Sequence, residues 1–363
     1  AAIWKSWIYR AMSFLVVSCP CALVISVPMS FFGGVGGMSR RGILVKGSNY
    51  LEALAKCDTV VFDKTGTLTQ GSFEVTKVYP ANEHCEKSEL LNLGALCESA
   101  STHPIAQAIC SAAKVQNGID KSRIGNVEEL AGYGIHAVID GSDIYAGNLR
   151  LMDKIGAKVN PVNEIGTVVY ISRTDEYLGC ILLSDILKSD SKDAIAALRE
   201  QGVRRVVMLT GDKKDVAANV AVKLGITEYY SQLLPADKVS KVERLLDSAN
   251  GQLAFVGDGI NDAPVLARAD VGIAMGGLGS DAAIEAADVV LMDDKPSKIP
   301  LAIKAAKRTL DIVKQNIIFV LVVKIIILVL VALGLAGMWA AVFADVGVAV
   351  IAILNAMRAM KIK

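Results

Sequence analysis

Long apolar stretches at both ends constrain this chain more than any other feature. Residues 11–32 (AMSFLVVSCPCALVISVPMSFF) carry no charge. A helix of that length crosses a hydrocarbon core of roughly 30 Å. Residues 317–336 form a second such run with one Lys, and residues 338–357 a third with one Asp. Buried core helices are usually shorter, so all three are expected to span a membrane. Only Gly337 separates the second and third, which must therefore turn back in a tight hairpin. Arg40, Arg41 and Lys46 follow the first run. Lys304, Lys307, Arg308 and Lys314 precede the second, and Arg358, Lys361 and Lys363 follow the third. These clusters fall on one side if residues 33–316 are cytoplasmic. The expected location is an integral membrane protein of the plasma (inner) membrane, with lipid as a partner. Lys5 and Arg10 would then lie outside, against the positive-inside trend, which suggests that earlier spans belong to the same protein.

Composition adds exclusions. Hydrophobic residues make up 53% of the 363 and charged residues 21%, a modest apolar excess that the three runs account for. The 38 Lys+Arg and 37 Asp+Glu nearly cancel, so no nucleic-acid footprint is expected. The 7 Cys are odd in number and irregularly spaced, which argues against a disulfide scaffold.

Residues 33–316 read as a different material. Short apolar runs end in carboxylates at 59–63, 205–212 and 253–262, with further buried-strand patterns at 271–275 and 289–294. Helical periodicity occupies 190–201, 214–224, 236–248 and 280–287. Alternating strand and helix predicts a doubly wound α/β sheet, with functional residues at the carboxyl ends of its strands. Asp63, Asp212 and Asp258 are expected there. Residues 71–180 interrupt the pattern. Helical segments near 88–98 and 104–115, then strand-like segments near 127–131, 135–146, 167–173 and 177–183, read as an inserted α+β domain.

DKTGTLT at 63–69 places a candidate nucleophile, Asp63, at a strand tip. Thr210-Gly211-Asp212 and Gly257-Asp258-Gly259-Ile260-Asn261-Asp262 supply polar groups at neighbouring tips, and Lys238 precedes the last of these strands. Singly, each motif could be an acidic turn; three in register argue for chemistry. Together DKTGT, TGD and GDGIND, with a large insertion after the first, resemble the P-type ATPases, whose catalytic domain belongs to the haloacid dehalogenase superfamily. The resemblance implies that Asp63 accepts the γ-phosphoryl group of ATP, with Lys64 and Thr65 beside it. It implies Mg²⁺ on the Asp63 carboxylate, the Thr65 carbonyl and Asp258. Thr210, Gly211, Asp212 and Lys238 would contact the phosphoryl group, and Asn261 and Asp262 would complete the polar shell.

Position 65 sharpens this. Simple phosphatases of the superfamily carry a second Asp two residues after the nucleophile as acid/base; here it is Thr65, so the phosphoenzyme should persist. No G-x-x-x-x-G-K-[ST] is present, so ATP is not held by a Walker loop. In the insertion, Glu98, Ser101, His103 and Pro104, with Gly132, Gly134, Gly147 and Asn148, resemble the nucleotide domain of heavy-metal P-type ATPases. Glu98 and His103 would border the adenine.

Cys19-Pro20-Cys21 sits at the centre of the first run. Positions two apart on a regular helix point to nearly opposite sides, but Pro20 breaks the helix and could aim both sulfurs and a freed carbonyl at one point. Two packed small cysteines are the bland reading. CPC upstream of DKTGT is the family's heavy-metal signature. Lys324 and Asp345 are the remaining intramembrane charges, with their midpoint close to the turn near 335–338 and so at similar depth; a structural ion pair is the bland reading. Lys324 and Asp345-Val346-Gly347 resemble the branch exporting Zn²⁺, Cd²⁺ or Pb²⁺. Cys19, Cys21 and Asp345 would bind the ion, with Lys324 as its built-in counter-ion on release.

The resemblance implies residues 1–44 as a membrane helix with CPC, 45–70 and 185–306 as the phosphorylation domain, 71–184 as the nucleotide-binding domain, and 307–363 as a two-helix hairpin. It covers the C-terminal half of a pump, without the actuator domain and its TGE loop. A copper-type pump, a membrane-anchored phosphohydrolase without transport, and a truncated regulatory protein are the rival readings. Cys57, Cys85, Cys97, Cys110, Cys180, His84 and His136 lack ligand spacing.

Overall fold

The computed structural model describes residues 2–82, 85–116, 120–160, 162, 164–259, 262–276 and 281–362. In chain order the elements begin with α1 (Ala2–Ser18), α2 (Cys21–Ser39), β1 (Ile43–Val45), α3 (Ser48–Ala55) and β2 (Cys57–Asp63). There follow β3 (Thr69–Pro80), α4 (Lys87–Glu98), α5 (Pro104–Gln116), β4 (Ile124–Leu130), β5 (Gly134–Ile139), β6 (Ser142–Gly147), α6 (Leu149–Ile155), β7 (Thr167–Arg173) and β8 (Glu176–Leu187). The rest are α7 (Ser191–Glu200), β9 (Arg205–Leu209), α8 (Lys214–Leu224), β10 (Glu228–Tyr230), α9 (Pro235–Ser248), β11 (Gln252–Gly257), α10 (Ala263–Arg268), β12 (Val271–Met275), α11 (Asp281–Ala286), β13 (Val289–Leu291), α12 (Lys298–Ala332) and α13 (Met338–Ala356).

The chain divides into two compact units. One comprises residues 1–67, 190–211 and 224–363; the other comprises 68–189 with 212–223. The first holds a seven-stranded sheet in the order β1-β13-β12-β11-β2-β9-β10. Every pairing is parallel except β1 with β13 at one edge. β2, β11 and β12 are buried almost throughout, as continuous apolar strands covered on both faces must be. Phe62 and Phe255 are fully buried, and each such side chain contributes about 1.5–3 kcal/mol by leaving water.

Three helical stretches, Trp7–Ser39, Lys298–Ala332 and Met338–Met360, are long and apolar enough to cross a membrane. The first differs from a single helix over 11–32: α1 ends at Ser18 and α2 starts at Cys21. Pro20 causes the break, because it has no N–H to give. The second differs in extent, since α12 is continuous from Lys298, well before its apolar run begins. It thereby joins the catalytic sheet's unit to the spans without a hinge. Ala22, Val320, Val348 and Ala352 form a small buried cluster between α2, α12 and α13.

The second unit is a six-stranded antiparallel sheet, β3-β8-β7-β6-β5-β4, packed against α4 and α5. The stretch 135–146 is a hairpin rather than one strand. Asp140 (φ 50) and Gly141 (φ 76) supply two consecutive left-handed residues, the conformation of a tight hairpin turn. Five short elements, β1, α3, α6, β10 and α10, lie outside the periodicity read from the sequence.

Candidate active site and membrane ion layer

β2 and β11 are parallel neighbours, so their carboxyl ends lie side by side. Asp63 ends β2 and Asp258 follows β11 directly. Asp262 begins the turn into α10. Carboxylate oxygens of Asp63, Asp258 and Asp262 all lie within 4.8 Å of one another. Lys238, in the first turn of α9, donates to Asp63 Oδ1 at 2.5 Å and to Asp262 Oδ1 at 2.9 Å. A cation in a helix's first turn opposes the helix dipole, and the two carboxylates offset that cost.

The electrostatics follow from burial. Asp63 is 5% exposed and Asp262 is 2% exposed. Burial raises the Asp63 carboxyl to about 7; Asp262 and Asp258 add to this and Lys238 opposes it. Burial alone would lower the Lys238 ammonium, but Asp63 and Asp262 outweigh it and hold it above its ordinary value. With oxygen donors only, the carboxylate set suits a hard divalent cation.

The loop after β2 is shaped around the same point. Lys64 is buried, Thr65 is exposed and extended (φ −73, ψ 134), and Gly66 is left-handed (φ 68). A Cβ on Gly66 would run into the Asp258 carboxylate. Gly66 is a site residue that motif reading passed over, although its place in DKTGT was a signal. Thr210 is buried at the end of β9; its N–H donates to the Tyr230 carbonyl at 3.0 Å and its own carbonyl accepts from Leu233. Gly211 follows, and Asp212 opens the segment grouped with the second unit. Asn261 lies outside the described residues.

In the second unit the strand register places Gly134 opposite Gly147. A Cβ on Gly147 would strike the Tyr133 carbonyl and come within 2.7 Å of Leu151. Asn148 knits this corner: its Nδ2 donates to the Gly132 carbonyl at 2.9 Å and its Oδ1 accepts from Leu151 N–H at 3.1 Å, capping α6. Gly132, Gly134, Gly147 and Asn148 thus come together. Glu98, buried at the end of α4, has its carboxyl pushed up to about 7, by burial first and then by Glu129 of β4. Ser101 Oγ accepts from His103 N–H at 3.2 Å, and His103 Nδ1 accepts from Ile105 N–H at 3.2 Å, so both shape the entry to α5 at Pro104.

In the apolar helices the break at Pro20 has a traceable consequence. Leu23 N–H turns to the Pro20 carbonyl at 3.0 Å, which leaves the Cys19 carbonyl free of its helical partner. Lys324 Nζ donates to that carbonyl, to the Val17 carbonyl at 3.2 Å and to Asp345 Oδ1 at 3.1 Å. The sulfurs of Cys19 and Cys21 are joined as a disulfide, which puts both on one side of the break despite their spacing. Cys57, Cys85, Cys97, Cys110 and Cys180 form no disulfide among the described residues. One ammonium therefore gathers Cys19 and Asp345 into a single layer.

A model of the haloacid dehalogenase-like hydrolases matches residues 57–270. The chain is 52% identical over 366 residues to a cadmium, zinc and cobalt-transporting ATPase of Bacillus subtilis, covering 100% of this chain and 51% of that protein. This chain belongs to the haloacid dehalogenase-like hydrolases. A zinc-transporting ATPase of Synechocystis is 53% identical over 356 residues, covering 98% of this chain and 49% of that protein. The structure of a zinc-transporting PIB-type ATPase in an E2.Pi state superposes with a TM-score of 0.87 at 39% identity, covering 99% of this chain and 59% of that one. The chain spans about half the length of the curated relatives it matches.

Proposed function

We propose that this chain is the catalytic and membrane half of a P-type ATPase that exports a soft divalent ion, Zn²⁺, Cd²⁺ or Pb²⁺, at the expense of ATP. The observation that carries the reading is the bridge from Lys238 to Asp63 and Asp262, with Asp258 beside them, in the same compact unit as the Cys–Lys–Asp membrane layer. An Asp63 oxygen attacks the γ-phosphorus of ATP. The P–O bond to the β-phosphate breaks, and ADP leaves with the electron pair. Asp63, Asp258 and the Thr65 carbonyl would hold Mg²⁺, which neutralises phosphate charge when bound. Lys238 pairs with the incoming phosphoryl oxygens, while Thr210, Asp212 and Asn261 complete their hydrogen bonds. Glu98, His103 and the Gly132–Asn148 corner receive the adenine. In the family's phosphatases a second Asp supplies acid/base help to hydrolysis; Thr65 supplies none, so the phosphoenzyme survives long enough to drive movement.

Cys19, Cys21 in reduced form and Asp345 bind the ion in the bilayer. The two thiolates select a soft or borderline cation, and the carboxylate favours Zn²⁺ over Cu⁺. Lys324 neutralises Asp345 when the ion has gone. The basic clusters near 40–46, 304–314 and 358–363 support catalytic units on the cytoplasmic side of the plasma membrane. The test is phosphoenzyme formation from γ-labelled ATP with a panel of Zn²⁺, Cd²⁺, Pb²⁺, Co²⁺ and Cu⁺. Acid-stable label that requires divalent soft metal and vanishes in Asp63→Asn is expected. Label that persists in Asp63→Asn, or that only Cu⁺ elicits, refutes the reading.

A further inference from the structure

Between the ion layer and the end of the helix bundle that carries the catalytic sheet lies a file of polar side chains that the proposed function leaves unused. Asn316 of α12 is 1% exposed. Its Nδ2 donates to Ser30 Oγ of α2 at 3.4 Å and to the Ala352 carbonyl of α13 at 3.0 Å. Its Oδ1 accepts from Asn355 Nδ2 at 2.9 Å, and Asn355 Oδ1 accepts from Arg358 at 2.6 Å. Ser30 in turn donates to the Ser26 carbonyl at 2.8 Å. One file therefore runs from the exposed Arg358 inward to Ser26, linking all three helices.

Ser26 ends it, and its hydroxyl is the anomaly. Ser13, Ser18, Ser30 and Thr309 each donate to the carbonyl four residues back, the usual way a hydroxyl is satisfied in a helix. Ser26 is 0% exposed, yet its Oγ finds no hydrogen-bond partner among the described residues. Ala22, Ser26 and Ser30 occur at four-residue spacing on one buried face of α2. Ala22 packs in an apolar cluster with Val320, Val348 and Ala352. Ser26 is five residues from Cys21, about 7.5 Å along a helix. A buried hydroxyl without a partner costs free energy in any apolar interior.

We propose that this file is the route by which the ion approaches the thiols from the catalytic-domain side, and that Ser26 Oγ is its last oxygen ligand before transfer to Cys19 and Cys21. A dication leaving water cannot cross an apolar layer unaccompanied. The hydroxyl lends it one lone pair at that layer, then gives it up to thiolates that bind soft cations more tightly. Ser26 therefore governs the rate of loading and not the final affinity.

The inference rests on Cys19 and Cys21 as ion ligands, and the test separates the two. Cd²⁺ alone is added to the full chain in detergent under reducing conditions without ATP. The cadmium–thiolate charge-transfer band is followed by stopped flow and by equilibrium titration. Ser26→Val and Ser26→Thr add the same volume and share one shape, but only Ser26→Thr keeps the hydroxyl. Ser26→Val is expected to slow loading about tenfold, the cost of one lost polar contact, with little change in equilibrium affinity. Ser26→Thr is expected to load at the native rate. Native-rate loading by Ser26→Val overturns the proposal. Equal slowing in both variants overturns it by showing a packing effect. Weakened affinity at an unchanged loading rate makes Ser26 a final ligand and overturns it too. A native chain that gives no band, or whose band survives loss of both cysteines, refutes the thiol site itself and the route with it.

Discussion

Gly66→Ala separates folding from phosphoryl transfer in a single methyl group. Gly66 is left-handed (φ 68), and the added Cβ would occupy the position of the Asp258 carboxylate. The conformational part is modest: an L residue in that region costs about 1–2 kcal/mol. In a unit of this size each kcal/mol lowers Tm by about 2–4 °C, so a fall of several degrees is expected. The site cannot escape so lightly. The carboxylate must move by more than about an ångström, and a misplacement of that size costs about a hundredfold in rate. The assay pairs the initial rate of phosphoenzyme formation, at saturating ATP and Zn²⁺, with a thermal unfolding curve of the same preparation. The expected result is a rate loss of about a hundredfold with the fold retained, matching Asp258→Asn. A Gly66→Ala rate within about threefold of native would show that Asp258 need not sit where this loop puts it. A collapse of Tm far beyond the strain estimate would show that the loss is unfolding.

Two further outcomes follow from buried charges. Glu98 holds its proton up to about 7 in the fold, because burial and then Glu129 disfavour the carboxylate, against about 4.3 in an unfolded chain. The folded unit therefore binds more protons between those values, and its stability falls as pH rises through that window, by up to about 4 kcal/mol. Glu98→Gln should flatten that slope and protect the β5–β6 amides from hydrogen exchange at pH 8 better than the native chain; an unchanged slope would contradict the assignment. Lys324→Ala leaves the Asp345 carboxylate, 17% exposed as a side chain, without its cation. Breaking such a pair costs about 3–5 kcal/mol, so the metal-free variant should melt lower, gain more Tm from Zn²⁺ than the native chain does, and release the ion more slowly. Equal Zn²⁺-dependent shifts in both would contradict Lys324 as counter-ion.

The legible parts of this protein are those where a local pattern repeats. Asp63 could be placed at a strand tip because TVVFD is an unbroken apolar run before a carboxylate, and β2 does end at Asp63. The depth match of Lys324 and Asp345 followed from counting residues around a hairpin turn, and the two meet at 3.1 Å. The turn at Asp140-Gly141 was written in the sequence as a turn dipeptide, though the strand periodicity on either side concealed it. β1 and β10, three residues each, carry too little periodicity to be read; they exist because a neighbouring strand offers its edge.

By itself the sequence determined what depends on chain-local physics: which stretches are apolar enough to span, where Pro20 must break a helix, and which carboxylates terminate strands. Only the tertiary structure decided what depends on neighbours from distant segments. It gave Lys238 two carboxylates to bridge and required position 66 to lack a Cβ because Asp258 fills the space. It handed the Cys19 carbonyl, freed by Pro20, to an ammonium more than three hundred residues away, and left the Ser26 hydroxyl buried without a partner among the described residues. Hydrogen bonds and steric exclusion act over a few ångströms, and no periodicity along the chain records which residues will meet at that range.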